Sequence, residues 1–267
     1  MRKTKALGQH FLTSRAILNK IVSIISPHKD ELIIEIGAGK GALTFALAER
    51  CGKVIAIEKD QSLIPFLVEK KRGNVDILEK DVLSIDFFSL LEEERTFFGK
   101  VKLVGNLTYS ISSPLLFKTL EAKDLFSSCV FLLQKEVAER MSAGPGSKKY
   151  APLSILFQIY FDVRLRFIVA PGSFSPPPRV QSALVSLEKR EAPLFLVRDR
   201  SRFQAFLRTA FAQRRKTLLN NLKSLGLPFP LFIESFRQLG LDPGVRAEQV
   251  PIEKFVCLFD AVARIKR

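Results

Sequence analysis

The sequence predicts an α/β fold: a mostly parallel sheet with helices on both faces, an antiparallel strand at one edge, and a small all-helical C-terminal domain. Three observations predict it. Residues 31–58, ELIIEIGAGKGALTFALAERCGKVIAIE, read as strand, glycine turn, helix, strand. Strand-like apolar runs keep alternating with helical stretches as far as residue 187. Beyond Arg190 no strand pattern remains, so the chain divides into domains 1–189 and 190–267.

Taken in order, residues 1–12 begin basic and continue Gly8-Gln9-His10-Phe11-Leu12. Residues 14–25 place Ile17, Leu18, Ile21, Val22, Ile24 and Ile25 at helical spacing, and Ser26-Pro27 closes that helix. The strand–turn–helix–strand unit follows and ends on Glu58. A helix over 60–71 leads to a short strand at 75–78, with Asp81 just past its end. Residues 87–91 form a short helix or a loop, and 100–105 a fourth strand running straight into Asn106-Leu107-Thr108-Tyr109. Pro114 suits the first turn of a helix over 113–120. A strand at 128–133 passes into a helix at 134–141, then into a Gly/Pro/Lys loop at 143–149 that reads as mobile. After a helix at 151–160, strands at 161–169 and 179–187 flank a proline-rich turn. With no helix between them, they are expected to pair antiparallel at an edge. Helices are expected at 203–211, 215–225, 231–239 and 251–265.

The glycine turn carries the first chemical signal. A strand reversing into a helix within about four residues needs positive φ or close backbone approach. Missing side chains leave room for a ligand against the main chain. Glu58, at the end of the second strand, can accept both hydroxyls of a ribose. An ordinary βα turn has the same outline. The spacing is G-x-G-x-G, not the G-x-G-x-x-G of a pyrophosphate site, and no G-x-x-x-x-G-K-[ST] is present. A nucleoside without phosphates, such as S-adenosylmethionine (SAM), therefore fits better than NAD.

Ligands on open α/β sheets bind beyond the C-terminal ends of the strands. Gly37 to Gly41, Glu58, Asp81 and Asn106 to Tyr109 all stand at such ends. Asp81 is either a helix cap or an acceptor for an adenine amine. The tetrapeptide Asn106-Leu107-Thr108-Tyr109 suits methylation of an exocyclic amine, whose lone pair is delocalised into the base. An amide oxygen and a main-chain carbonyl that both accept N–H bonds draw that nitrogen toward tetrahedral geometry. Tyr109 is either a half-buried loop aromatic or a stacking surface for a base taken out of its stack. No titrating base is required, in keeping with only two histidines.

Composition bounds the rest. Residues 1–267 carry a net charge of +15, 47% hydrophobic residues and 23 Phe, as expected of a folded globule that attracts a polyanion. Nucleic acid and an acidic membrane face both qualify. The three scattered cysteines form no zinc spacing and no disulfide framework, and point to a reducing, cytoplasmic setting. The N-terminus lacks a secretory apolar core, no run is long enough to span a membrane, and no metal is expected.

Together these residues resemble the ribosomal RNA adenine N6-dimethyltransferase family of the KsgA type. The matching stretches are Gly8-Gln9-His10-Phe11-Leu12, Glu35-Ile36-Gly37-Ala38-Gly39-Lys40-Gly41, Glu58, Asp81, Asn106-Leu107-Thr108-Tyr109, Leu133-Gln134-Lys135-Glu136-Val137 and Phe174-Ser175-Pro176-Pro177-Pro178-Arg179-Val180. They run nearly end to end. The resemblance implies a Rossmann-like class I SAM-dependent methyltransferase. It implies SAM as donor and two neighbouring adenosines in a hairpin loop near the 3′ end of small-subunit rRNA as acceptors. It implies that His10, Leu12, Gly37 and Gly39 line the SAM pocket, that Glu58 holds the ribose and Asp81 the adenine amine, and that Asn106 lies between cofactor and target. Tyr109 and Phe174 are implied to sandwich the target base. The chain departs from the family at Thr108, where proline is usual; the main-chain carbonyl survives and the ring's rigidity is lost.

Residues 190–267 hold 15 Lys/Arg against 7 Asp/Glu, and Arg214-Arg215-Lys216 sit in a row. The triplet is a solvated helix face or, within so basic a domain, a contact to rRNA phosphates. The chain is expected to act as a monomer on small-subunit rRNA or its ribosomal precursor. Two other readings share the fold: a non-catalytic nucleic-acid-binding factor, and a DNA adenine methyltransferase. The intact glycine turn, Glu58 and Asn106 favour an enzyme, and no sequence-reading DNA module is visible.

Overall fold

The computed structural model describes residues 9–226 and 229–265, without the side chains of Tyr109, Phe229, Leu231, Arg264 and Ile265. The chain falls into two compact units, one of Met1–Ala138 with Asp162–Lys189, the other of Glu139–Phe161 with Arg190–Arg267.

The strands are β1 (Phe11–Leu12), β2 (Glu31–Ile36), β3 (Lys53–Glu58), β4 (Val75–Glu79), β5 (Lys100–Asn106), β6 (Ser128–Gln134), β7 (Phe161–Val169), β8 (Phe174–Ser175) and β9 (Ser182–Lys189). Seven of them form one sheet in the order β4-β3-β2-β5-β6-β9-β7. The pairs among β4, β3, β2, β5 and β6 are parallel, and β9 runs antiparallel to β6. β1 and β8 make a separate antiparallel ribbon. The chain builds outward from β2 in both directions, so the order reverses between β2 and β5. That switch point opens a crevice at the C-terminal ends of these two strands.

Why these runs are strands follows from burial. Every residue of β2 is buried, including Glu31 and Glu35. A parallel strand covered on both faces needs a continuous apolar run rather than alternation. The α1 helix (Arg15–Ile25) starts where Ser14 Oγ accepts the Ile17 N–H at 3.4 Å. It ends where Ser26 turns left-handed at φ 48°. Lys102 of β5 caps this end, donating to the carbonyls of Ile25 (2.9 Å) and Ser26 (2.8 Å) while pairing with Glu31 at 2.8 Å. One face of α1 and of α2 (Ala42–Ala48) packs Ile21, Val22, Ile25, Leu47 and Ala48 onto Val54, Ala56, Val104, Val130 and Leu132 of the sheet. Burying each large side chain stabilises the fold by about 1.5–3 kcal/mol.

Further along lie α3 (Ile64–Glu69), α4 (Phe87–Leu91), α5 (Tyr109–Glu121), α6 (Lys135–Ser142) and α7 (Pro152–Tyr160). In this part of the chain three stretches differ from the sequence reading. The helix expected over 60–71 is shorter: Asp60 caps a 3-10 turn at Gln61–Leu63 before α3 begins. The helix expected from residue 113 begins at Tyr109, with Pro114 inside it. The Thr108 carbonyl, accepting the N–H groups of Ile111 (3.3 Å) and Ser112 (3.2 Å), starts it earlier. The loop at 143–149 is tied rather than loose: Gly146 N–H donates to the Glu248 carbonyl at 2.7 Å, Lys149 pairs with Glu139 at 2.5 Å, and the Arg214 guanidinium donates to the Lys148 carbonyl.

The second unit also holds α8 (Arg200–Ala210), α9 (Leu218–Leu222), α10 (Phe229–Gln238) and α11 (Ile252–Ile265). Its core is aromatic: the Phe203 ring lies 5.2 Å from Phe259 edge-on, and Phe211 lies 5.4 Å from Phe255. The sequence division at 189/190 leaves α7 with the sheet, whereas the compact units group it with the C-terminal helices. Main-chain bonds from Arg190 to Tyr160 (3.0 Å) and from Leu194 to Ile159 (2.8 Å) tie it there. The helix expected over 215–225 shrinks to α9 and one 3-10 turn, because the Thr217 side chain caps it at the Asn220 N–H. Arg214, Arg215 and Lys216 therefore lie exposed in the turn before α9, not on a helix.

Candidate active site

Parallel register brings the strand ends level. Ile36 faces Ile57 on one side and Gly105 on the other, and Glu58 faces Glu79. The residues just beyond these ends therefore share one rim. Gly37, Gly39, Glu58, Asp81, Asn106, Thr108 and Phe174 line one cleft of about 180 Å³, together with His10. An adjoining cavity of about 350 Å³, which includes Leu12, shares Phe11, Gly37, Gly39 and Asn106 with it. Together they fall in the size class of a small-molecule site.

The turn after β2 is built from main-chain bonds. Gly37 and Ala38 N–H both donate to the Ile57 carbonyl, at 2.9 and 3.2 Å. Gly39 has φ 60°, and a Cβ there would sit 3.2 Å from the Phe11 ring. Gly41 has φ 83°, and a Cβ would strike Phe45 at 2.2 Å. The G-x-G-x-G spacing is thus a run of left-handed positions, of which Gly37 and Gly39 keep main chain bare along the cleft.

Glu58 is 5% exposed and locks this turn. One oxygen accepts the Gly39 N–H at 2.8 Å; the other accepts those of Lys59 (2.9 Å) and Asp60 (2.8 Å). A carboxylate offers about four acceptor positions, so three are taken and one, on the oxygen facing Gly39, remains.

Asp81 is a turn cap that also lines the cleft. Its Oδ1 accepts the Leu83 N–H at 2.9 Å and caps a 3-10 turn, while it still lines the cleft. Its Oδ2 pairs with Lys59 at 2.7 Å. The Lys59 ammonium, and after it the Leu83 N–H, hold the Asp81 carboxyl below its ordinary range. It is an ionised acceptor at neutral pH.

Asn106, at the end of β5, is half-buried, and its Nδ2 donates to the His10 carbonyl at 2.9 Å. No described residue donates to its Oδ1. The Thr108 carbonyl is occupied by the first turn of α5. The carbonyl of Leu107, one residue earlier and itself a cleft-lining residue, accepts no bond from a described residue. Phe174 is 5% exposed, with its ring on the cleft. The side chain of Tyr109, and Gly8 ahead of the ribbon, lie outside the described residues.

Sequence reasoning missed several lining residues. Ile57 and Val82 give the cleft apolar walls beside Glu58 and Asp81, and Phe11 closes it over Gly39. Their signal is adjacency: each neighbours a polar residue at a strand end or in the ribbon. Glu35 enters the sequence reading only as part of a motif. It lines the adjoining cavity, is 2% exposed, and its Oε2 has no hydrogen-bond partner among the described residues. Burial pushes its carboxyl up to about 8, opposed by the Thr44 hydroxyl and helped by Glu58.

Comparison with known proteins bears on the whole chain. A model of the ribosomal RNA adenine dimethylase family matches residues 1–264. The chain is 43% identical over 266 residues to a ribosomal RNA small subunit methyltransferase A of Geobacter metallireducens, covering 98% of this chain and 96% of the relative. Over 256 residues it is 42% identical to the protein of that name from Xanthomonas campestris pv. campestris, covering 95% and 94%. Its fold is similar to a dimethyladenosine transferase from Plasmodium falciparum (26% identity, TM-score 0.81, 96% of this chain and 98% of that one). The 23S rRNA methyltransferase ErmE has the same fold at 23% identity (TM-score 0.72, 96% and 100%).

Proposed function

The chain belongs to the ribosomal RNA adenine dimethylase family, and on that premise we propose that it joins SAM and adenine across the β2–β5 crevice. The activity is SAM-dependent dimethylation of adenines in small-subunit rRNA. The acceptors in this reading are two neighbouring adenosines in the hairpin loop near the 3′ end of that RNA. The chain acts as a cytoplasmic monomer, with residues 1–189 carrying the chemistry and 190–267 gripping the substrate.

The residues present fit SAM. Main chain without side chains at Gly37 and Gly39, both lining the cleft, suits a ligand laid against the turn. Glu58 keeps one acceptor position that would take a ribose hydroxyl, and Asp81, with acceptor positions left beside its bonds to Lys59 and Leu83, would take the adenine amine. Ile57 and Val82 would flank the adenine ring, and His10 and Leu12 the remaining wall. Bound SAM supplies an electrophilic methyl on a sulfonium sulfur.

The chain's own part is alignment. A flipped adenine would present N6 to two acceptors, Asn106 Oδ1 and the Leu107 carbonyl, since the Thr108 carbonyl already serves α5. Accepting both N–H bonds in the first transfer, and the remaining one in the second, would localise the nitrogen lone pair and aim it at the methyl; each C–N bond would form as the C–S bond breaks, with one N–H proton released to solvent. Phe174 and Tyr109 would hold the base by stacking, worth about 1–3 kcal/mol for each ring. No general base is assigned, so the rate rests on positioning. Arg214, Arg215 and Lys216 are assigned to phosphate binding, which fixes register without reading sequence.

One observation carries this reading: Asn106 stands at the switch-point rim with its amide nitrogen engaged and its oxygen available. Labelled SAM incubated with unmethylated small subunits, followed by mapping of the label, tests it. Label is expected on two adjacent adenines, and Asn106→Ala is expected to abolish it with SAM affinity retained. Label on duplex DNA, or full activity in Asn106→Ala, would refute it.

A further inference from the structure

We infer that His10 is a positioning residue for methyl transfer: its imidazole, anchored on the Pro176 carbonyl, sets the His10 carbonyl that orients the Asn106 amide. This rests on the reading of Asn106 as the N6–H acceptor. The β1·β8 ribbon pairs Phe11 with Ser175 and Leu12 with Phe174, so the next pair in register is His10 with Pro176. Proline has no N–H, and the ladder cannot continue through it. The His10 ring instead bonds the one polar main-chain group proline keeps, with Nδ1 at 2.7 Å from the Pro176 carbonyl. A carbonyl only accepts, so Nδ1 carries the proton.

The same residue meets the reacting end of the cleft through its main chain. The His10 carbonyl accepts from Asn106 Nδ2 at 2.9 Å. Flipping the Asn106 amide would set Oδ1 against that carbonyl, two acceptors with no proton between them. The bond therefore fixes which end of the amide faces the target. At the ribbon's far end, Thr13 N and Oγ1 (2.9 and 3.1 Å) and Ser14 N (3.3 Å) all converge on the Ser173 carbonyl. The strand carrying Phe174 is thus tied to the residue that aims Asn106. Ordering of the base-stacking loop and orientation of the acceptor become one event.

The geometry discriminates between two substitutions. In His10→Asn, Nδ2 hangs from Cγ as Nδ1 does, and can reach Pro176. In His10→Gln the amide sits one bond further out and misses it. His10 also lines the cleft, so SAM affinity is measured beside kcat on unmethylated small subunits. His10→Gln is expected to lower kcat about tenfold, a modest misplacement effect, with a much smaller change in SAM Kd. His10→Asn is expected to restore most of kcat. The Asn106 side-chain amide resonance should shift in His10→Gln and return in His10→Asn. Unchanged kcat in His10→Gln, or a loss confined to SAM affinity, would overturn the inference. Asn106→Ala separates the two readings: if it keeps full activity the acceptor role itself falls, whereas a dead Asn106→Ala beside a fully active His10→Gln removes only the relay.

Discussion

Thr108 stands where the family resemblance implies proline, and its backbone already has the shape a proline would take. Its φ of −68° and ψ of 155° are those a proline adopts, and no described residue accepts its N–H. Thr108→Pro is therefore expected to keep methylation near the parent level. It should stabilise the fold by about 0.4–1 kcal/mol through a less flexible unfolded chain; activity and thermal melts check both. Glu35 behaves oppositely, as a residue the fold tolerates at a cost. Its raised carboxyl holds a proton when folded and releases it when unfolded, between the ordinary carboxylate range and about pH 8. Stability from this group is full below that window and is lost as pH rises through it. Melts of the SAM-free protein should thus lose stability from pH 5 to pH 8, and Glu35→Gln should flatten that slope. An unchanged slope would mean that Glu35 is ionised in the folded state. Glu58 and Asp81 were legible as strand-end acids. Their existing main-chain and Lys59 partners were not, because a hydrogen bond to a neighbouring turn leaves no mark on sequence spacing.

At the level of elements, the strands of the large sheet and the glycine turn were readable because continuous apolar runs and glycine spacing report burial and positive φ directly. The β1·β8 ribbon was invisible: two residues per strand carry no periodicity, and its partners, such as Phe11 and Ser175, stand far apart in the chain. The apolar pattern misplaces helix starts where a side chain or carbonyl outside it sets the boundary, as Thr108 does for α5 and Thr217 for α9. The loop at 143–149 reads as mobile from glycine and proline content, yet Arg214 clasps the Lys148 carbonyl. Arg214→Ala is expected to loosen it, seen as faster proteolytic cleavage near Lys148 while the sheet's amide protection is unchanged. Equal cleavage rates would assign Arg214 to other work.

For the molecule as a whole, a charge of +15 makes association with RNA an ion-exchange process. Affinity for small subunits should fall linearly on logarithmic axes with salt. Replacing Arg215 and Lys216 together by Ala should flatten that line by about 0.7–0.9 for each phosphate no longer neutralised. A parallel line with lower affinity would mean that these cations act through shape rather than charge. The helical C-terminal region was legible as a change of pattern after Arg190. The membership of α7 was not, since its helical period gives no hint of which unit buries it.

The ribbon also dictates an order of events during synthesis. The parallel strands and the glycine turn lie within the first 134 residues, but the ribbon that pairs Leu12 with Phe174 can form only once residue 174 has emerged. A nascent chain can therefore pair its parallel strands while the wall of the cleft that Phe174 supplies is still missing.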